Sequence, residues 1–245
     1  MYYTRIHQRR FNFDAFFSGV VFIISLTIFL ALFITRSEFF RVQKIIVHGE
    51  DSSLKERITT SLASQARYLF SSPAHIAYSL KGRYLPLKEV EVDIDFFSRS
   101  FIISYTLRDA SFLWCKPTTC YLVDREGVIF EDTPLAHTPF LIKVEDRYFH
   151  EVMTGRKIPS SAISSLLATH QFIQDKNLPF LRSIIESPFS LKVVLDTYPE
   201  LLFTTHREIK TQLDTLEQFF HSLPQEEFSK LQYVDLRVKN RIYYK

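Results

Sequence analysis

The chain has 245 residues, of which 46% are hydrophobic and 23% are charged, so it has the composition of a globular protein with enough apolar residues for a core. Its formal net charge of +3, without any long run of lysine or arginine, argues against a nucleic-acid-binding protein. The 5 glycines lie too far apart for a phosphate-binding loop, which excludes P-loop and dinucleotide-binding motifs. Abundant phenylalanine and tyrosine favour β structure.

An uncharged run extends from Ala15 to Thr35 near the start of the chain. At about 1.5 Å per residue it would cross a hydrocarbon core of about 30 Å, so the sequence predicts a transmembrane helix over residues 15–35. A buried core helix is seldom apolar on every face over this length. A cleaved signal peptide has a shorter apolar region that ends in small residues. We therefore expect an uncleaved anchor.

The charges beside this run predict its direction. Arg5, Arg9 and Arg10 lie in the short segment 1–14, and positive charge stays on the cytoplasmic side of a membrane. The prediction is a cytoplasmic tail over residues 1–14, with the rest of the chain outside. Basic residues also follow the run, beginning at Arg36, and they weaken the asymmetry.

Five elements are predicted between residues 39 and 109, in the order strand, helix, helix, strand, strand. An alternating apolar segment ends at Gly49, and the capping box Ser53–Glu56 begins a helix. A second helix is indicated from Ser72, with proline at its first position, to Gly82. Alternation then predicts strands over Lys88–Phe96 and Phe101–Leu107.

The strand over Lys88–Phe96 carries one acidic face, formed by Glu89, Glu91, Asp93 and Asp95. These carboxylates suggest either a cation site or a solvated sheet face. Carboxylates two residues apart on a flat strand do not converge on an ion without loop oxygens, so we favour the solvated face. No metal site is predicted.

Cys115 and Cys120 flank a loop of four residues between apolar, strand-like segments. A hairpin with this loop would place the two thiols opposite each other, at disulfide distance. The pair is either a disulfide in an oxidising compartment or two free thiols. A zinc site would need two further ligands at matching spacing, and none is evident.

The region from residue 110 onward alternates predicted strands and amphipathic helices. The predicted helices cover Pro159–Asp175 and Glu208–Phe220. The predicted strands are Phe112–Cys115, Tyr121–Val123, Val128–Phe130, Leu191–Asp196, Leu201–Thr205, Tyr233–Val238 and Arg241–Lys245.

Three motifs in order resemble the FtsQ/DivIB family of bacterial cell-division proteins. The segment Phe40–Gly49 reads F-x-V-x-x-I-x-V-x-G and opens a region that resembles a POTRA domain. Leu122–Asp132 reads LVDREGVIFED, and Tyr233–Arg237 reads YVDLR, like the closing strand of that family. The chain departs from the family in its short tail, in Val238 after the closing arginine, and in ending at Lys245.

The resemblance implies an α+β fold with a single transmembrane helix, a POTRA domain over 39–109 and an FtsQ-type β domain over 110–245. It implies a non-catalytic septal scaffold of the divisome in the bacterial plasma membrane, with its bulk extracytoplasmic. The implied partners are small coiled-coil membrane proteins of the FtsB/FtsL type, other divisome proteins and membrane lipid, with no nucleic acid. The edge of the POTRA sheet would be a second docking surface.

The last segment of the chain is the candidate partner site. If nothing pairs its outer side, Arg241–Lys245 is an edge strand whose unpaired backbone groups another chain can occupy by β-augmentation. We expect Val234 and Leu236 to be core residues. The predicted partner-binding residues are Tyr233, Arg237, Arg241, Ile242, Tyr243 and Tyr244.

No catalytic or cofactor-binding residues are predicted, because the eight histidines are scattered and His150-Glu151 lacks the second histidine of H-E-x-x-H. Two other classes of function compete with the scaffold. A membrane-anchored POTRA accessory protein for secretion or envelope assembly would usually carry a barrel or several modules. An extracytoplasmic hydrolase would need a convergent cluster of serine, histidine and acid.

Overall fold

The computed structural model describes residues 13–36, 41–65, 71–133, 141–148, 152–197 and 199–245. The chain divides into two compact units, one of residues 1–80 with 90–105 and the other of residues 81–89 with 106–245. Residues 1–12, with the three arginines of the predicted cytoplasmic tail, lie outside the described part of the chain.

The first helix, α1, runs from Phe13 to Arg36. In the described part of the chain no helix is long and apolar enough to cross a membrane, so the prediction of a transmembrane helix over residues 15–35 is wrong.

The five elements after α1 follow the predicted order of strand, two helices and two strands. They are β1 (Lys44–His48), α2 (Ser52–Gln65), α3 (Pro73–Arg83), β2 (Leu87–Asp95) and β3 (Ser100–Leu107). Their strands form one sheet in the order β1-β3-β2. β1 and β3 are parallel, with Lys44 opposite Ser100.

The start of α2 differs from its prediction. The cap is Asp51, whose carboxylate accepts the N–H groups of Ser53 at 2.8 Å and Leu54 at 3.2 Å. The capping box predicted on Ser53 is therefore wrong, because a carboxylate two residues earlier already accepts the free donors of the first turn. α3 begins as predicted, with Ser72 accepting the N–H of His75 at 3.4 Å.

Gly49 is needed where β1 ends because the ring of Tyr105 lies against it. A Cβ at Gly49 would overlap that ring, so a side chain there would have to displace Tyr105. The Tyr105 hydroxyl donates to the Asp51 carbonyl at 2.9 Å, which holds the ring in place. Burial raises the pKa of Tyr105, so the phenol remains a donor at neutral pH.

The second unit contains one sheet of nine strands and three helices that lie between strands in the chain order. Its strands are β4 (Ala110–Cys115), β5 (Cys120–Asp124), β6 (Ile129–Thr133), β7 (Ile142–Asp146), β8 (Phe180–Ser187), β9 (Ser190–Leu195), β10 (Glu200–Thr204), β11 (Tyr233–Asp235) and β12 (Tyr243–Tyr244). Its helices are α4 (Ser160–Asp175), α5 (Ile209–Ser222) and α6 (Gln225–Phe228). The sheet order is β12-β11-β10-β9-β8-β7-β4-β5-β6.

The helices of this unit bury the apolar side of the sheet. α4 contributes Leu166 and Ile173, and α5 contributes Leu216, to one cluster with Phe203 and Val234 of the strands. The residues from α4 and α5 recur at helical spacing and form an apolar stripe on each helix. These stripes are the pattern from which the two helices were predicted. β7 and β8 were not predicted, and both are interior strands of the sheet.

A disulfide joins Cys115 and Cys120 at the closed end of the β4–β5 hairpin. The two residues are opposite each other in the register, and Lys116 donates its N–H to the Thr119 carbonyl at 2.8 Å. Cys115 is 5% exposed and Cys120 is 0% exposed, so the bond is buried in the sheet.

Candidate functional site

The candidate site lies at the open end of the nine-stranded sheet. β11 pairs in parallel with β10, and β12 pairs antiparallel with β11, so β12 ends the order of strands. α5 and α6 lie between β10 and β11 in the chain. A parallel neighbour requires such a crossover, which brings the last strand to the edge rather than into the interior.

The backbone N–H and C=O groups of β12 point alternately toward the neighbouring strand β11 and toward the outer side of the sheet. The N–H of Lys245 donates to the carbonyl of Tyr233 at 3.3 Å, so the backbone groups of Lys245 face β11. Because these groups alternate along an antiparallel strand, those of Tyr243 also face β11. The N–H and C=O of Tyr244, between them, therefore point to the outer side of the sheet.

The side chains of this strand lie on opposite faces. Tyr244 lies against Phe219 of α5, with ring centroids 5.0 Å apart, and Ile242 packs on the helix-covered core. Tyr243 has the alternate orientation and lies on the other face. Tyr243 is 47% and Tyr244 is 55% exposed, so both keep apolar area available for a partner.

Arg237 is held by an ion pair within its own segment. Its Nε and terminal nitrogen donate to the two carboxylate oxygens of Asp235 at 2.9 and 2.6 Å. Burial opposes ionisation of Asp235, but the hydrogen bonds from Arg237 outweigh burial and lower the Asp235 pKa. The same pair raises the pKa of Arg237. The guanidinium is thus fixed in one orientation with its remaining edge available for an incoming acceptor.

The other predicted residues of the site differ in exposure. Tyr233 is half-buried and lies opposite Glu200 of β10, whereas Arg241 is exposed. Val234 and Leu236 are 0% and 2% exposed, so the prediction that they are core residues is confirmed. The six candidate residues thus surround one edge, with Tyr243 and Tyr244 at its outermost strand.

Aromatic rings support the site from the helix side. Phe219 lies 6.3 Å from Phe228, which in turn lies 4.3 Å from Phe220. Phe220 packs against Phe172 of α4 at 6.2 Å. This chain of rings links the edge strand to α4, α5 and α6, so Tyr244 rests on a rigid base rather than on a loop.

Beside the edge, at β9, the face of the sheet away from the helices carries paired charges. Lys192 of β9 lies 3.2 Å from both Glu186 and Glu200. Burial lowers the Lys192 pKa, but the two carboxylates reverse this effect and raise it. Lys192 therefore stays charged, and this part of the face is hydrophilic where the strand edge is apolar.

Two clefts of the second unit are lined mainly by charged and polar residues. One, of about 390 Å³, is lined by charges of both signs, among them Lys88, Asp124 and Glu126. A second, of about 310 Å³, lies beside the disulfide and includes Lys143 and Asp146. Within the described ranges, no group of three or more His, Cys, Asp or Glu residues could hold a metal ion.

Two residues of the site were missed by sequence reasoning. Asp235 was treated only as part of a motif, although residues two apart on a strand share a face and could have been paired with Arg237. Phe219 lies next to Phe220 but outside the helical stripe used to predict α5. An aromatic residue outside an apolar stripe was the available signal that another element covers it.

Comparison with known proteins adds no relative. No family model matches this chain, and no curated protein matches it in sequence. The similarity to the FtsQ/DivIB family therefore rests on the motifs and their order.

Proposed function

We propose that this chain is a non-catalytic scaffold of the FtsQ/DivIB type that holds partners together during bacterial cell division. It acts by β-augmentation, in which a segment of a partner adds a strand beside β12. The partner class that the family resemblance implies is a small coiled-coil division protein of the FtsB/FtsL type. The disulfide between Cys115 and Cys120 supports a location outside the cytoplasm, in an oxidising compartment.

The observation that carries the proposal is the edge position of β12, which has no strand on its outer side among the residues that the structure describes. An unpaired edge strand is an aggregation hazard that proteins normally cover or interrupt with charge or proline. Here the outermost strand is Tyr243–Tyr244, two exposed aromatic residues on a rigid base. The strand is short and lies between Arg241 and Lys245, which limit unspecific pairing, while its two rings and the outward backbone groups of Tyr244 remain for a specific partner.

Replacement of Tyr244 with proline tests the backbone contact. Proline lacks the N–H that points outward, so Tyr244→Pro should abolish co-purification of the partner. Tyr244→Ala is the matched control, because it removes the same ring and keeps the N–H. Thermal unfolding of both variants establishes that each remains folded. Equal binding by Tyr244→Pro and the natural protein would reject β-augmentation at this edge.

Depletion of the protein tests its place in division. The expected result is filamentous cells that fail to divide. Imaging of the septum measures this result. Rescue by the natural chain, but not by Tyr244→Pro, would connect the edge to the phenotype. Normal septation with defective envelope assembly would instead support the accessory-protein alternative.

A further inference from the structure

The turn between β2 and β3 exposes two adjacent phenylalanine residues. Phe96 is 57% exposed and Phe97 is 102% exposed, as much as in an extended chain. Single exposed apolar residues are common on protein surfaces, whereas neighbouring exposed rings at a tip indicate a contact surface. We call these residues, Asp95 to Arg99, the hairpin tip.

The hairpin tip is held in shape by its own polar groups. The Asp95 carboxylate accepts the N–H groups of Phe97 at 2.9 Å and Ser98 at 3.2 Å, and the Ser98 hydroxyl at 2.7 Å. These bonds lower the pKa of Asp95, the bond from the Ser98 hydroxyl most of all, so they persist at neutral pH. Arg99 has a φ of 52°, which closes the turn. The rings are therefore presented without a large loss of backbone entropy on binding.

Basic residues lie at the base of the hairpin tip. Arg99 belongs to the turn itself, and its carbonyl accepts the N–H of Gln43 at 2.8 Å. This bond brings the start of β1 next to the tip, where Lys44 is opposite Ser100. Arg41 and Lys44 are both exposed. Two exposed rings are thus accompanied by three cationic side chains.

The acidic residues of β2 lie behind the hairpin tip. At about 3.4 Å per residue, Asp93 and Glu91 are about 7 and 14 Å back along the strand from Asp95. Both are exposed. The charge therefore changes from positive at the tip to negative along the strand, and this arrangement would turn the tip toward an anionic surface.

We propose that the hairpin tip docks on the surface of an anionic phospholipid bilayer, with Phe96 and Phe97 entering the interfacial layer and Arg41, Lys44 and Arg99 contacting lipid phosphates. Apolar rings beside basic side chains are the combination that binds membrane surfaces. The rings project from a convex turn, which fits a deformable lipid surface. This peripheral contact does not depend on the proposed role in division.

The test places an indole at the hairpin tip. The full chain with Phe97→Trp is mixed with vesicles of brominated phosphatidylglycerol, whose bromine atoms quench indole fluorescence on contact. Phe189→Trp is the matched control, because Phe189 is also in a hairpin turn and is 57% exposed. The natural Trp114 is fully buried and contributes equally to both variants. Since α1 also exposes apolar side chains, retention of the whole protein on vesicles would not be informative.

The expected result is strong quenching of Phe97→Trp, weak quenching of Phe189→Trp, and little effect with brominated phosphatidylcholine. Adding Lys44→Gln to Phe97→Trp should reduce the apparent affinity about fivefold at low salt, as expected for one basic residue near an anionic surface. Equal quenching of the two indoles, or equal quenching by both lipids, would overturn the proposal. A blue shift of Phe97→Trp that rises with protein concentration in the absence of vesicles would also overturn it, since the rings would then bind protein.

Discussion

Two hairpins of the nine-stranded sheet show how one chain builds a rigid interior and an accessible edge. The β4–β5 hairpin is paired on both sides, by β7 and by β6, is closed by a disulfide, and carries the fully buried Trp114. The β11–β12 hairpin ends the sheet with a strand of 2 residues, both exposed. The backbone of the first hairpin is paired on both sides, whereas the outer side of β12 has no partner strand among the described residues. The difference implies that substitutions should affect folding in one and binding in the other.

The largest expected effect is at Trp114. Its ring is 0% exposed, and its Nε1 donates to Asp146 at 2.9 Å. Trp114→Ala would leave a large cavity and remove one hydrogen bond to Asp146, so we expect a loss of about 3–5 kcal/mol in the free energy of unfolding. Urea denaturation followed by circular dichroism measures it. A loss below about 1 kcal/mol would mean that this hairpin is not the rigid member of the pair.

Removal of the disulfide should have the next largest effect on the free energy of unfolding. For a loop this short, chain entropy predicts a stabilisation of about 2 kcal/mol by the bond. The variant with both Cys115→Ala and Cys120→Ala should lose this amount, and a reducing agent should lower the urea midpoint of the natural chain to a similar degree. The double variant is its own control, because its midpoint should not respond to the reducing agent. A natural chain equally insensitive to reduction would contradict the prediction.

The Asp235–Arg237 pair should contribute about 1 kcal/mol, since it is bidentate but partly exposed. The folded pKa of Asp235 lies below its ordinary value of 3.8, so the stabilisation is present above that value and is lost as the pH falls through the folded pKa. Asp235→Asn should therefore be less stable than the natural chain at neutral pH, with the gap closing below pH 3.8.

The control for this pair is Glu200→Gln, in which Lys192 keeps its second carboxylate, Glu186. Its effect should be smaller than that of Asp235→Asn at neutral pH. The stabilities of the two variants are compared by measuring their urea unfolding midpoints at a series of acidic pH values. A gap between natural chain and Asp235→Asn that is independent of pH would show that the carboxylate charge is not the cause.

The smallest expected effect on folding is that of Tyr243→Ala. Tyr243 is 47% exposed on the face away from the helices, so its loss should change the free energy of unfolding by less than about 0.5 kcal/mol. Partner affinity should fall nonetheless, because aromatic residues at an interface centre often contribute at least about 2 kcal/mol. Titration calorimetry against the purified partner, with thermal unfolding in parallel, separates the two quantities. If Tyr243→Ala lowered the stability but not the partner affinity, the β11–β12 hairpin would serve folding rather than binding, and the proposal would be contradicted.

The predictions from sequence succeeded where a pattern is local. The stripes of α4 and α5 and the alternation in β9 and β10 report burial on one face, and the structure has those elements within a few residues. The sequence analysis missed β7 and β8, since both mix polar and apolar residues without a regular period of two. The helix over residues 15–35 was predicted correctly as a helix and wrongly as a membrane span.

The sequence by itself determined the order of the elements in the first unit and of most elements in the second, the apolar faces that form the cores, and the facing positions of Cys115 and Cys120. Only the tertiary structure decided that β11 joins β10 in parallel, that β12 therefore ends the sheet, and that Phe219 lies under Tyr244. Local periodicity depends on neighbours within a few residues, so a sequence can show it directly. Which strand lies at an edge depends on how distant segments pair, and no single segment carries that information.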